Sequence, residues 1–276
     1  MVKPFLLYGC EIWGYGNCQI IERVHLKLCK HLLHMKTSTP SFMIYGKLGR
    51  YPLEIDIKIR MISYWAKFVD GKQYKFSNII YSLSLILSNT QRNNFVWLTF
   101  VKNIFNECGY TYIWDTHTLP NSAWLNLNIK QKLQDQFIQS WFSNLENSGK
   151  TLNYRLFKKQ FETENYRYSL ADNFLYEFCR LRTHNYKLPI ESGRWQNLDR
   201  NMRICNLCVE NEIRDEFQYI LECNYFNNNQ KKYIDDRNRK RPNIIKFDEL
   251  MSIKKIKLTK LCKFIQLINK AVCARG

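Results

Sequence analysis

The chain has 276 residues, 45% hydrophobic and 15% aromatic, with only 10 Gly and 6 Pro. It is long enough to bury one large core or two modest ones, and its composition excludes collagen-like, linker-rich and disordered designs. The formal net charge of +18 points to a polyanionic partner, RNA or DNA. The charge is uneven: residues 227–276 hold 14 Lys+Arg against 4 Asp+Glu, a net of +10. No apolar run reaches the ~18 residues of a membrane-spanning helix, "IIYSLSLIL" being about half that length.

Taken in chain order, Asn17 is placed to cap a helix through "CQIIERVHLKLCKHLLHM", with Ile20, Ile21, Val24, Leu28 and Leu32 as its expected buried face. "TSTP" breaks it. Pro52 opens a second helix to about Val69, carrying Ile55, Ile59, Ile62 and Trp65–Ala66 on one side. Residues 77–89 and 94–108 read as two more helices, the latter stopped by Gly109. Ser122 to Leu145 is a long amphipathic helix carrying Trp124, Leu133, Phe137 and Trp141. Leu170 to Arg182 is helical again, and after Pro189 the pattern turns short and irregular. A last helix runs from about Ile253 to Val272, with Ile253, Ile256, Leu261, Phe264, Ile265 and Ile268 as its apolar stripe and Lys254, Lys257, Lys260, Lys263 and Lys270 outside it. The fold class is mostly α, in four regions: 1–149, 150–188, 189–226 and 227–276.

Ten cysteines are spread along the chain, and "MVKPFLLYGCEIWGYG" lacks the long apolar core of a secretory leader. The expectation is reduced thiols and an intracellular, nuclear protein that is not secreted, with Cys29, Cys108, Cys179 and Cys262 in helix cores. Three other cysteines form a pattern. Cys205, Cys208 and Cys223 are spaced C-x2-C-x14-C, the way a short loop wraps zinc. In nucleic-acid-binding knuckles the fourth ligand is usually His, about four residues before the last Cys. Here Gln218 stands in that position, and a carboxamide oxygen is a poor zinc ligand. Either three thiolates and water hold zinc weakly, or the site has decayed. Residues 195–226 are short and polar, so a metal rather than a core is expected to hold them. Arg194, Arg200 and Arg203 lie close by in sequence and are candidates to meet phosphate.

The wording around these cysteines resembles the cysteine-rich C-terminal segment of non-LTR (LINE-type) retrotransposon reverse transcriptase polyproteins. "LPIESGRW", "RICNLC" and "DEFQYILEC" occur here in the order L-P-I-E-x-G-R-W, R-x-C-x-x-C, D-E-x-H-x-x-x-x-C. The segments "KPFLLYGCEIWG", "IERVHLKLCKHLL", "TSTPSFMIYGKLGRYPL" and "RMISYWAKF" resemble the region just after the polymerase palm in the same proteins. The resemblance covers most of residues 3–250 and departs at Gln218. It implies that 1–149 is thumb-like and linker, 150–188 a helical connector, 189–226 a zinc-knuckle-like segment and 227–276 a basic tail. It also implies a segment without the palm, and so no enzyme on its own.

The remaining motifs fit that reading. "YIDD", residues 233–236, matches the aromatic-x-Asp-Asp of reverse transcriptases, but its flanks "NNNQKK" and "RNRKRP" are too polar for a buried catalytic hairpin. His25 with Cys29, and His31 with His34, share helix faces without a third ligand, and surface histidines are expected. Arg237, Arg239, Lys240 and Arg241 form a basic run suited to phosphates or to nuclear localisation. The function expected is non-catalytic binding of RNA or DNA through basic, sequence-indifferent contacts, with zinc as the one candidate cofactor and no membrane or small-molecule substrate. The alternatives are a host interaction protein or decayed fragment without a nucleic-acid role, and a polymerase or nuclease using Asp235 and Asp236.

Overall fold

The computed structural model describes residues 2–16, 18–71, 75–90, 95–186, 188–205, 207–208, 213, 215–252 and 255–275. The chain is mostly α-helical. Among the described residues the only β pairings are isolated antiparallel bridges, Leu48 with Thr163 and Ile204 with Ile213. Among them, too, no helix is long and apolar enough to cross a membrane. The chain divides into two compact units, Met1–Leu26 with Tyr51–Phe142, and Lys27–Arg50 with Ser143–Gly276.

The first unit is built on the helices Leu53–Val69, Lys75–Asn89, Val96–Cys108 and most of Ser122–Asn147. Leu53–Val69 buries Ile55, Ile62, Trp65 and Ala66 as its spacing predicts, while Ile59 is half-buried. Trp65 is central. Its ring stacks on Trp114 at 6.0 Å and meets Phe105 edge-on at 4.8 Å. Its indole N–H donates to the Tyr81 hydroxyl at 2.9 Å, so the one polar atom of a buried tryptophan is satisfied. In the long helix Leu125, Ile129 and Leu133 recur every four residues and face this core. Trp124 of the same helix stays 44% exposed against Tyr110.

The second unit assembles one core from segments far apart in sequence. Phe178 and Leu181 of Asp172–Arg182 pack with Cys205, Tyr219, Ile220 and Cys223, and with Phe247, Leu261, Phe264 and Ile268. Residues on both sides of 188 and of 226 therefore share one interior. The segment 189–226 is no polar loop, since Cys205, Leu207, Tyr219, Ile220, Leu221, Cys223 and Phe226 are all buried. Nor is 227–276 a loose tail: Leu261, Phe264, Ile265 and Ile268 of Lys255–Arg275 are core residues, and Tyr233 stacks on Phe264 at 6.1 Å. Asn17, Asn94, Ile253 and Lys254 lie outside the described residues, as does the side chain of Ile256.

The helix Cys18–Leu32 turns a different face inward from the one its apolar spacing suggests. Ile20, Val24 and Leu32 are exposed, while His25 and Cys29 are buried. His25 is no surface histidine; its Nδ1 meets Glu22 Oε1 at 3.0 Å, so a polar pair takes the place of the expected aliphatic stripe. His31 and His34 are exposed. Cys29, Cys108, Cys179 and Cys262 are buried as expected.

Two helices absent from the sequence reading, Ser41–Leu48 and Ile244–Met251, join the second unit. The first ends on Gly49, with φ +57°, where the chain turns to meet residues 162–163. A Cβ at Gly49 would lie 2.5 Å from the Thr163 nitrogen. Gly49→Ala is expected to destabilise the protein by at least ~2 kcal/mol, from left-handed strain plus overpacking, in urea denaturation followed by circular dichroism. An unchanged midpoint would show that the two strands of chain are not in tight contact.

Candidate metal centre and its polar surroundings

Cys205 and Cys208 follow Ile204, which forms an isolated antiparallel bridge with Ile213. The backbone N–H groups of Leu207 and Cys208 donate to the Cys205 sulfur at 2.9 and 3.2 Å. Amides aimed at a sulfur favour its thiolate form, the form that binds metal. Cys223 arrives from the other side. The Gln218–Glu222 turn is a π-helical one, in which the Cys223 N–H donates to the Gln218 carbonyl at 2.8 Å. That extra residue in the turn sets where Cys223 falls. The three sulfurs lie within 4.8 Å of one another. In a tetrahedral zinc site, Zn–S bonds of about 2.3 Å place sulfurs about 3.8 Å apart, so a modest contraction suffices.

Gln218 is buried at 2% exposure, and neither its carboxamide nitrogen nor its oxygen has a hydrogen-bond partner. An unsatisfied buried polar atom costs about 1–3 kcal/mol, so this side chain is poorly suited to its place. Cys205, Cys208 and Cys223 supply three donors of the kind zinc takes, and no fourth His, Cys, Asp or Glu joins them among the described residues.

His184, the imidazole nearest the cysteines in sequence, 21 residues before Cys205, lies in a buried polar cluster. His184 Nδ1 pairs with Glu216 Oε1 at 2.7 Å, and both side chains are buried. Asn153 donates to the other Glu216 oxygen at 2.8 Å. The His184 Nε2 atom is buried without a partner. The "DE" preceding Gln218 was the available signal, but only the fold brings it to His184. Burial alone would pull the His184 pKa down, yet the Glu216 carboxylate raises it above the ordinary value. Burial would likewise raise Glu216, but His184 holds it below its ordinary value.

The basic residues divide by environment. Arg194 pairs with Glu191 at 2.8 Å and donates to the Gly149 carbonyl. Arg203 donates to the Leu198 and Ile190 carbonyls and crosses so near Gly193 that a Cβ there would meet its Cγ at 2.6 Å. Both arginines hold the chain around "ESGRW" rather than facing outward for phosphate. Arg200 is more open and lies 3.8 Å from Asp215. In the basic run, Arg237 pairs with Glu249, and Arg239 and Lys240 pair with Asp236. Arg241 is exposed. Lys257 pairs with Asp235 at 2.5 Å, while Lys260, Lys263 and Lys270 are exposed on the same helix. The two aspartates of "YIDD" thus begin a short helix, Asp236–Arg239, and face cations across ion pairs.

No protein-family model, curated protein or solved structure matches the chain.

The His184–Glu216 pair generates a pH window. Glu216, with its pKa depressed, contributes stability above the ordinary carboxylate value of 4.5 and loses it as pH falls through its lower folded value. His184, with its pKa raised, contributes fully below 6.5 and loses its contribution as pH rises through its higher folded value. His184→Ala, which leaves Glu216 buried without its cation, is expected to cost about 3–5 kcal/mol near pH 6. The cost should shrink at alkaline pH. A penalty independent of pH would show that packing, not the ion pair, is what His184 supplies.

Proposed function

We propose that the chain is a non-catalytic nucleic-acid-binding segment of the kind its motifs resemble, the C-terminal region of a LINE-type reverse transcriptase. It would hold RNA or DNA through basic contacts to the phosphate backbone, which position a strand without reading its sequence. The observation that carries this reading is the arrangement of the Lys255–Arg275 helix. Its apolar face is core, while Lys257, Lys260, Lys263 and Lys270 occupy an outward arc of about 140°, taking 100° per residue. Of these, Lys257 is the one neutralised by a neighbouring aspartate. The chain's overall charge of +18 supports the same partner.

Truncation of the basic tail cannot test this, because residues 234–272 complete the second core. Surface substitutions can. The triple variant Lys260→Gln, Lys263→Gln, Lys270→Gln is expected to fold normally and to bind duplex DNA more weakly. The slope of log affinity against log salt should fall by about 2–3, since each phosphate contact contributes about 0.9. Fluorescence anisotropy across a salt series measures it, and an unchanged slope would sink the proposal.

Zinc belongs to the same reading. Cys205, Cys208 and Cys223 would hold it, with the fourth position left to water. Gln218→His supplies the imidazole that the resembling motif carries. In a competition titration against a chromogenic chelator, the variant is expected to bind one zinc at least ~100-fold more tightly than the natural chain. Equal affinities would mean that another residue completes the site.

One observation favours a second reading, a protein-interaction role. The helix Lys75–Asn89 exposes Phe76, Ile79, Ile80, Leu83 and Ile86. Contiguous apolar surface of this kind marks interaction sites. A partner bound with flat salt dependence would support this reading over nucleic acid.

A further inference from the structure

A second site lies away from the cysteines, within the second unit. Lys47, Lys158 and Arg182 surround the single carboxylate of Glu164, at 3.3, 3.9 and 3.4 Å. All four side chains are at most 7% exposed. The group therefore carries two buried positive charges more than its carboxylate can balance. Buried charge without a counter-charge costs several kcal/mol per ion, so an excess of two calls for a partner.

The shortage is sharpest at Arg182. Its contacts to Glu164 and to the Met251 carbonyl are both long, at 3.4 Å, and its buried Nε has no partner. Phe157 lies 4.2 Å from the guanidinium carbon and Tyr166 5.0 Å, which hold the planar group but accept no hydrogen bond in its plane. Lys158 gives one proton to the Glu162 carbonyl at 2.6 Å, one of three it has to donate. Burial is the largest influence and pulls its pKa down to about 8, with Arg182 and Lys47 acting in the same direction against the attraction of Glu164.

These cations border an open cleft of about 590 Å³, lined by Lys158, Arg182, Tyr166, Ser169 and Ser252 among others. Glu164 and Glu162 also line the cleft. Glu164 is already counted against the three cations, and Glu162 is exposed to water, where its charge is screened. Lys159, a further lining residue, is engaged by Asp248 at 3.1 Å.

We propose that this cleft binds a doubly charged oxyanion of the phosphate class, held by Lys158 and Arg182. The charge count selects the ligand. A phosphate monoester or inorganic phosphate carries about −1.5 to −2 at neutral pH and matches the excess, whereas an internal phosphodiester carries only one charge. Guanidinium is suited to it because its fork of donors matches the spacing of phosphate oxygens. The site does not rest on the nucleic-acid reading, because Lys257, Lys260, Lys263 and Lys270 are not among the residues lining it.

Isothermal titration of the full chain with inorganic phosphate at pH 7 and constant ionic strength tests the proposal. Saturable binding of one phosphate, displaced by sulfate and absent with chloride, is expected. Lys158→Gln should weaken it at least tenfold, and Lys158→Met, which keeps the alkyl stem, should do the same. Glu164→Gln, which raises the positive excess to three, should tighten it. That change is opposite to the one a merely structural role predicts. No binding beyond the chloride control, or equal binding by the wild type and both Lys158 variants, overturns the site. A second arm identifies the source. Preference for a 5′-phosphorylated over a 5′-hydroxyl oligonucleotide assigns the site to a nucleic-acid end. Equal oligonucleotide binding alongside intact phosphate binding assigns it to a small phosphate ligand. Because the triple lysine variant leaves this cleft untouched, loss of duplex binding there with phosphate binding retained separates the two proposals.

Discussion

Much of the second unit hangs on Glu164. Its carboxylate meets Lys47 from the Ser41–Leu48 helix, Lys158 from the loop before it, and Arg182 from the end of Asp172–Arg182. The backbone repeats the connection: Leu48 bridges Thr163, the Thr163 hydroxyl donates to the Leu48 carbonyl at 2.8 Å, and the Glu164 N–H reaches the Lys47 carbonyl. The Lys47–Glu164 and Leu48–Thr163 contacts join residues more than a hundred apart in sequence and tie 27–50 into a unit otherwise made of 143–276. Burial alone would raise the pKa of Glu164, but Arg182, Lys47 and Lys158 hold it down to about 2. The carboxylate is therefore ionised across the whole physiological range. A buried ion group stabilises less than its Coulomb energy suggests, because four charges had to leave water. Its contribution is to specificity, since one carboxylate meets cations from separate segments of the chain.

Periodicity made the long helices legible. Leu53–Val69 and Lys255–Arg275 were readable because aliphatic side chains at i+3 and i+4 have one low-energy place to go. The same rule misassigned Cys18–Leu32, where Ile20, Val24 and Leu32 stay exposed and His25 goes inside paired with Glu22. Short elements such as Ser41–Leu48 were missed because eight residues give too few repeats for a period to emerge. Lys47 was beyond sequence reading altogether. A lysine in "YGKLG" reads as a solvated charge, and only Glu164, 117 positions later, makes its burial tolerable.

The cysteine cluster was legible for a different reason: C-x2-C constrains a turn locally, and the sequence carries that turn within four residues. The position of Cys223 depended on the π-helical turn before it, which no spacing rule specifies. "YIDD" shows the converse. A short motif has meaning only through its flanks, and here they place both aspartates at a helix start among arginines and lysines.

The burial of Cys205, Cys223 and their neighbours changes what a metal there would have to do. Classical zinc fingers are unfolded without their ion because little else holds them. Here Cys205 and Cys223 are members of a hydrophobic core together with Tyr219, Ile220, Leu221 and Phe264. Each large apolar side chain so buried contributes about 1.5–3 kcal/mol relative to exposure. The fold of this segment is therefore supported from below by packing, and a ligand can be lost from the site without the segment coming apart. That is a physical account of how glutamine can occupy position 218. It leaves two amide atoms unsatisfied, at a cost of a few kcal/mol, in a neighbourhood whose remaining contacts are intact. In such a setting a zinc ion held by the three thiolates would add rigidity and charge to a structure already formed.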